Sequence, residues 1–140
     1  MQAIFILSSG NRRFSVCTVV CEGLENTAFI DKVDRALLKP ASRAPIEFSG
    51  ETDRVYVDNL NDCLLIDNDW KRVIRVSKSG SVSTVVWNPW IDKSKRMPDF
   101  GDDEWPEMVC IETANVAAGR IELSPGESRT TTANISVETQ

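Results

Sequence analysis

Histidine is absent from all 140 residues of the chain. That one absence removes the Ser/His/Asp and Cys/His triads, and with them the side chain that most often changes charge near neutral pH. Any acid-base work falls to Asp, Glu, Lys, Tyr or Cys. Cysteine is also sparse. Of Cys17, Cys21, Cys63 and Cys110 only the first two are close together, at a spacing that fits no zinc ligand pair where histidine is missing. No metal and no cofactor are therefore expected. Each thiol stands in an apolar stretch, where it acts as a small hydrophobe, so reduced cysteines in a core are expected. Long apolar runs are lacking too. The longest, residues 3–7, falls far short of the roughly 20 residues of a helical span and of a signal peptide's hydrophobic region. A cytoplasmic protein without membrane association follows as the default expectation. Finally, 16 Lys and Arg stand against 21 Asp and Glu, a net charge of −5, which argues against a nucleic-acid surface.

What is present is the composition of one globular domain, with 41% hydrophobic and 26% charged residues. Short stretches rich in Val, Ile, Thr and Phe alternate with polar residues and are separated by Gly, Asn, Asp and Pro. This pattern predicts an all-β chain with strands over 14–22, 28–33, 45–48, 54–57, 63–67, 72–77, 84–87, 108–113, 120–123 and 129–137. Asp67-Asn68-Asp69 and Lys78-Ser79-Gly80 each lie between two strand-like runs and predict two hairpins in the middle of the chain. The exception is 89–106, where Trp90 to Met97 has room for about two helical turns and Asp102-Asp103-Glu104 for the start of another. Its cluster of Lys93, Lys95 and Arg96 beside Asp99, Asp102, Asp103 and Glu104 reads as a solvated loop. Residues 1–13 read differently from the rest. They are expected to be a divergent or poorly ordered lead-in, or a strand whose partner lies outside the chain, ahead of a single domain over 14–140.

With no histidine available, the candidates for chemistry are acidic residues in apolar surroundings, because burial raises a carboxyl pKa toward neutrality. Glu112 closes the run Met108-Val109-Cys110-Ile111-Glu112, and by alternation it shares a face with Cys110 and Met108 and points away from Ile111. It is either a base or a solvent-facing strand-end residue. Asp53 precedes the strand at Arg54-Val55-Tyr56 and is either a second acid-base candidate or a turn cap. Trp87-Asn88-Pro89-Trp90 supplies two aromatic faces and an amide, a set that suits a sugar ring or, equally, a core plug.

Four motifs carry a resemblance: Gly50-Glu51-Thr52-Asp53-Arg54-Val55-Tyr56, Val85-Val86-Trp87-Asn88-Pro89-Trp90, Met97-Pro98-Asp99-Phe100-Gly101-Asp102-Asp103-Glu104-Trp105 and Met108-Val109-Cys110-Ile111-Glu112. In this order they resemble the C-terminal half of glucose-6-phosphate 1-epimerases, hexose-6-phosphate mutarotases of the aldose 1-epimerase (galactose mutarotase-like) superfamily. Val20-Cys21-Glu22-Gly23-Leu24 and Phe29-Ile30-Asp31-Lys32-Val33 resemble the same family. The resemblance implies a partial antiparallel β-sandwich of the galactose mutarotase-like type, in agreement with the all-β pattern.

The reaction it implies interconverts α and β anomers of a hexose 6-phosphate. A base takes the anomeric hydroxyl proton, an acid protonates the ring oxygen, and the roles reverse on closure. By motif, Glu112 corresponds to the family's base and Asp53 to its sugar-binding Asp, with Trp87 and Asn88 as further contacts. No residue corresponds to the family's acid His, which lies in the first half together with the phosphate-holding arginines. The expectation is a partial mutarotase with weak or no activity by itself, or one that pairs with a separate chain carrying the missing half. The competing expectation is a non-catalytic carbohydrate-binding or interaction module with Trp87, Asn88 and Trp90 as its platform.

Overall fold

The computed structural model describes the backbone of residues 2–5 and the whole of residues 14–140. The strands are β1 (Gln2–Phe5), β2 (Val19–Glu22), β3 (Phe29–Asp31), β4 (Leu37–Lys39), β5 (Ile46–Glu47), β6 (Thr52–Tyr56), β7 (Cys63–Asp67), β8 (Arg72–Ser79), β9 (Ser83–Asn88), β10 (Cys110–Ala114) and β11 (Thr132–Thr139). One short helix, α1 (Trp90–Ser94), and three 3-10 turns complete the described elements. A six-stranded sheet runs β1-β10-β9-β6-β3-β4 and a five-stranded sheet β11-β8-β7-β2-β5. Every pairing is antiparallel.

Alternation explains how the sheets stack. Val19, Cys21, Leu65, Ile74 and Val76 of the five-stranded sheet meet Tyr56, Val86 and Ile111 of the other in one buried cluster. Residues two apart on a strand share a face, so these inward positions leave Val55, Val85 and Glu112 on the outer face of the six-stranded sheet. At the β7–β8 turn the buried Asp67 holds Arg72 at 2.9 Å and accepts the Trp70 backbone N–H at 3.2 Å. The turn is thereby closed by side chains as well as by the ladder.

Several expectations are corrected. The β7–β8 hairpin at Asp67-Asn68-Asp69 forms, but Lys78-Ser79-Gly80 joins β8 to β9 across the two sheets and not within one. Gly80 makes that crossing at φ +71°, and a Cβ there would meet the Thr130 carbonyl oxygen at 2.3 Å. Residues 120–123 alternate but form no strand, and among the described residues no strand pairs with them. The strand β4 was not expected. Of the lead-in over 1–13, Gln2–Phe5 pairs along β10 inside the chain, and the others lie outside the described residues. Among the described residues no helix is long and apolar enough to cross a membrane.

Candidate active site

The outer face of the six-stranded sheet carries a cavity of about 510 Å³, within the ~300–1,000 Å³ usual for small-molecule pockets. Strand register builds its floor. Ile30, Val55, Val85 and Glu112 face one another in a row across β3, β6, β9 and β10, and Asp53, Trp87 and Cys110 form the next row. Residues far apart in sequence thus meet because each occupies an outward position of its own strand. Lys32 lies just beyond β3, where its backbone N–H donates to the Asp53 carbonyl at 2.9 Å. Val116 and Ala117, in and beside the 3-10 turn after β10, close one side.

The apolar row around Glu112 has an electrostatic consequence. Burial raises the Glu112 carboxyl above its ordinary range; the Cys110 thiol hydrogen bond opposes this, Asp53 adds to it, and Lys32 opposes it. Burial, then the charge and hydrogen bond of Glu112, push the Cys110 thiol up to about 12. Cys110 therefore stays protonated at neutral pH and serves Glu112 as a donor. Among the described residues no cation comes within ion-pair distance of Glu112.

Asp53 sits within β6 and is not a turn cap. Its carboxylate lies 3.5 Å from Lys32 Nζ and 3.8 Å from Lys93 Nζ, with the side chain 13% exposed. Lys93 projects from α1, approaches Glu51 at 3.2 Å and stands 5.7 Å from the Trp87 ring centre. The two tryptophans of Trp87-Asn88-Pro89-Trp90 part company. Trp87 lines the cavity, whereas Trp90 meets Trp105 with ring centres 4.2 Å apart and planes tilted by 47°, and packs against the core.

Asn88 is fully buried and does not reach the cavity. Its Nδ2 donates to the Trp105 and Met108 carbonyls, both at 2.8 Å, and its Oδ1 accepts the Trp90 N–H at 2.8 Å. The structure therefore brings together Glu112, Asp53 and Trp87 and leaves Asn88 as a fastener on the opposite face. The two lysines were missed. Lys32 was legible as an outward neighbour of Ile30, while Lys93 was concealed in a charge run that reads as solvated. Among the described residues no group of three or more Asp, Glu or Cys is arranged to hold a metal ion. What the cavity can do is accept a proton at Glu112, fix hydroxyls at Asp53 and press an aromatic face against a small polar ring.

A profile of the aldose 1-epimerase family matches residues 4–136. The chain belongs to this family. A Cenchrus ciliaris protein provisionally named glucose-6-phosphate 1-epimerase is 38% identical over 112 residues, 80% of this chain and 34% of the relative. An Escherichia coli K12 protein of the same provisional name is 38% identical over 87 residues, 61% of this chain and 29% of that one. A crystal structure from Salmonella typhimurium, provisionally titled a mutarotase, matches at TM-score 0.74 and 27% identity, covering 91% of this chain and 43% of the other. The chain thus spans about a third of the length of the curated relatives it matches. The aldose 1-epimerase assignment agrees with the two antiparallel sheets, and the match crosses every strand that lines the cavity.

Proposed function

We propose that this chain forms the base-bearing part of a glucose-6-phosphate 1-epimerase, acting on the anomeric carbon of a hexose 6-phosphate. Glu112 takes the proton of the anomeric hydroxyl while an acid protonates the ring oxygen, the ring opens, the aldehyde end rotates, and closure reverses both transfers. Asp53 accepts hydrogen bonds from ring hydroxyls and Trp87 offers its face to the ring. No cofactor enters the reaction. The acid and the phosphate-holding cations belong to family fold outside these residues, whether on a longer polypeptide or on a separate chain.

One observation carries the reading: Glu112 and Asp53, on β10 and β6, line the same cavity beside Trp87. The raised Glu112 carboxyl supports it further, because a base of shifted pKa exchanges protons more readily near neutral pH. The binding-module reading has less support, since Asn88 and Trp90 of its platform are turned into the core.

The test is anomeric exchange of glucose 6-phosphate followed by NMR, using the chain mixed with the complementary first part of the E. coli relative. Exchange above the buffer rate is expected, with a loss of about 10²- to 10⁴-fold in Glu112→Gln. Equal rates for the two proteins would remove Glu112 as the base. No exchange in either, together with an unmoved Trp87 indole resonance on adding the sugar phosphate, would overturn the reading.

A further inference from the structure

Away from the cavity, inside the sandwich, two thiols meet. Cys21 of β2 and Cys63 of β7 are 0% and 1% exposed, and their sulfurs lie 3.0 Å apart. Nothing in the proposed epimerase chemistry uses them. A disulfide bond is about 2.05 Å long, so closing this contact moves the two sulfurs together by about 1 Å in total.

The backbone around the pair is built to hold the two chain segments close. The strands run antiparallel with Cys21 opposite Leu65 and Glu22 opposite Leu64, which sets Cys63 one step beyond, toward Gly23. Gly23 adopts φ +91°, and a Cβ there would lie 2.0 Å from the Asp62 carbonyl oxygen, so only glycine permits this approach. The side chain of Asn59 ties the same turn to the facing loop, donating to Thr27 Oγ1 at 3.0 Å. These features hold the Cys63 end of β7 against the turn at Gly23, two residues beyond Cys21, from where the two thiols meet on one face.

We propose that Cys21 and Cys63 are an oxidation site that closes to an intramolecular disulfide, stapling β2 to β7, when the chain meets a low-molecular-weight disulfide. The balance is complete. One thiolate attacks the small disulfide and releases one small thiol; the second protein sulfur then displaces the other, so two electrons pass from the cysteine pair to the small disulfide. The hydrogen bond shared with Cys63 and burial keep the Cys21 thiol protonated, which makes the first attack slow. Access comes at the strand ends, because Cys63 is the first residue of β7 and Cys21 the last but one of β2, and sheet ends open more readily than sheet centres. The exposed Cys17 is the competing thiol and is removed from the test as Cys17→Ser.

Purified Cys17→Ser protein is incubated with oxidised glutathione, in buffer and in sub-denaturing urea, then unfolded, alkylated and mapped by peptide mass spectrometry without reduction. The expected result is a Cys21–Cys63 cross-linked peptide, faster formation in urea, and a Tm higher by on the order of 10 °C that returns to the starting value on reduction. Cys63→Ser should give no cross-link. Should that variant fail to fold, the peptide map of Cys17→Ser alone decides. Recovery of Cys21 and Cys63 as alkylated thiols, as separate glutathione adducts, or linked to Cys110 would overturn the proposal.

Discussion

Burial acts with opposite signs on two residues of this molecule, because in each case it disfavours the charged form. It raises Glu112 on the outer face and lowers Lys78, to about 8, between the sheets. Lys78 stands on β8 opposite Ala133, on the face that carries Ile74 and Val76, and donates to Thr84 on β9. The sign of its effect follows from proton counting. An unfolded lysine holds its proton to about pH 10.4, whereas the folded one loses it near 8, so between these values the unfolded state binds more protons. Stability contributed by Lys78 therefore rises with pH from about 8 to about 10.4 and is lowest at and below neutrality. Lys78→Met keeps the stem and removes the charge. Its Tm is expected to exceed that of the wild type at pH 7, with the gap closing as pH approaches 10, and paired calorimetric scans at the two pH values check this. A gap independent of pH would mean that packing and not charge decides the position.

At the level of elements, the segment after β9 depends on Asn88. Its amide satisfies two carbonyls from the 105–108 stretch and caps the Trp90 N–H, so a single side chain joins β9, α1 and the approach to β10. Replacing it with alanine removes all three hydrogen bonds, one of them buried and two partly buried. Asn88→Ala is expected to cost about 3 kcal/mol in urea unfolding, and to loosen Lys93 beside Asp53 through α1. In the sequence this residue looked like a ligand, because an amide between two tryptophans carries no mark of which way it points. Strand alternation gives that direction: Trp87 outward, Asn88 inward. Other elements were less legible. Leu37-Leu38-Lys39 does not alternate, and the turn before it uses Arg35 and Ala36 at φ 54° and 56° where a glycine or asparagine would have announced a hairpin. Residues 120–123 alternate well, but a strand needs a neighbour, and alternation does not supply one.

For the whole molecule, the all-β class was legible in the period-two pattern, whereas the sandwich and the grouping of Glu112, Asp53 and Trp87 came from the family resemblance, because Asp53 reads from pattern alone as lying before its strand. Which strand borders which was not legible, since order within a sheet depends on long-range partners. That order leaves β11 as an edge strand of eight residues on the five-stranded sheet. Ile135 and Val137 lie opposite Val76 and Ile74, so they face the same side as the core, yet they remain 52% and 65% exposed. Among the described residues nothing covers them. A long, unpaired edge with an apolar flank is a template for association. The chain is therefore expected to self-associate as concentration rises, measured as an increase of the sedimentation coefficient across a dilution series. Ile135→Lys combined with Val137→Lys puts two charges on that flank while leaving the buried cluster intact. The double variant is expected to keep its circular dichroism spectrum and to associate at least about tenfold more weakly, since each buried aliphatic side chain contributes about 1.5–3 kcal/mol to a contact. Unchanged association with an unchanged spectrum would move the contact to another edge, the next being β4 with its exposed Leu37 and Leu38.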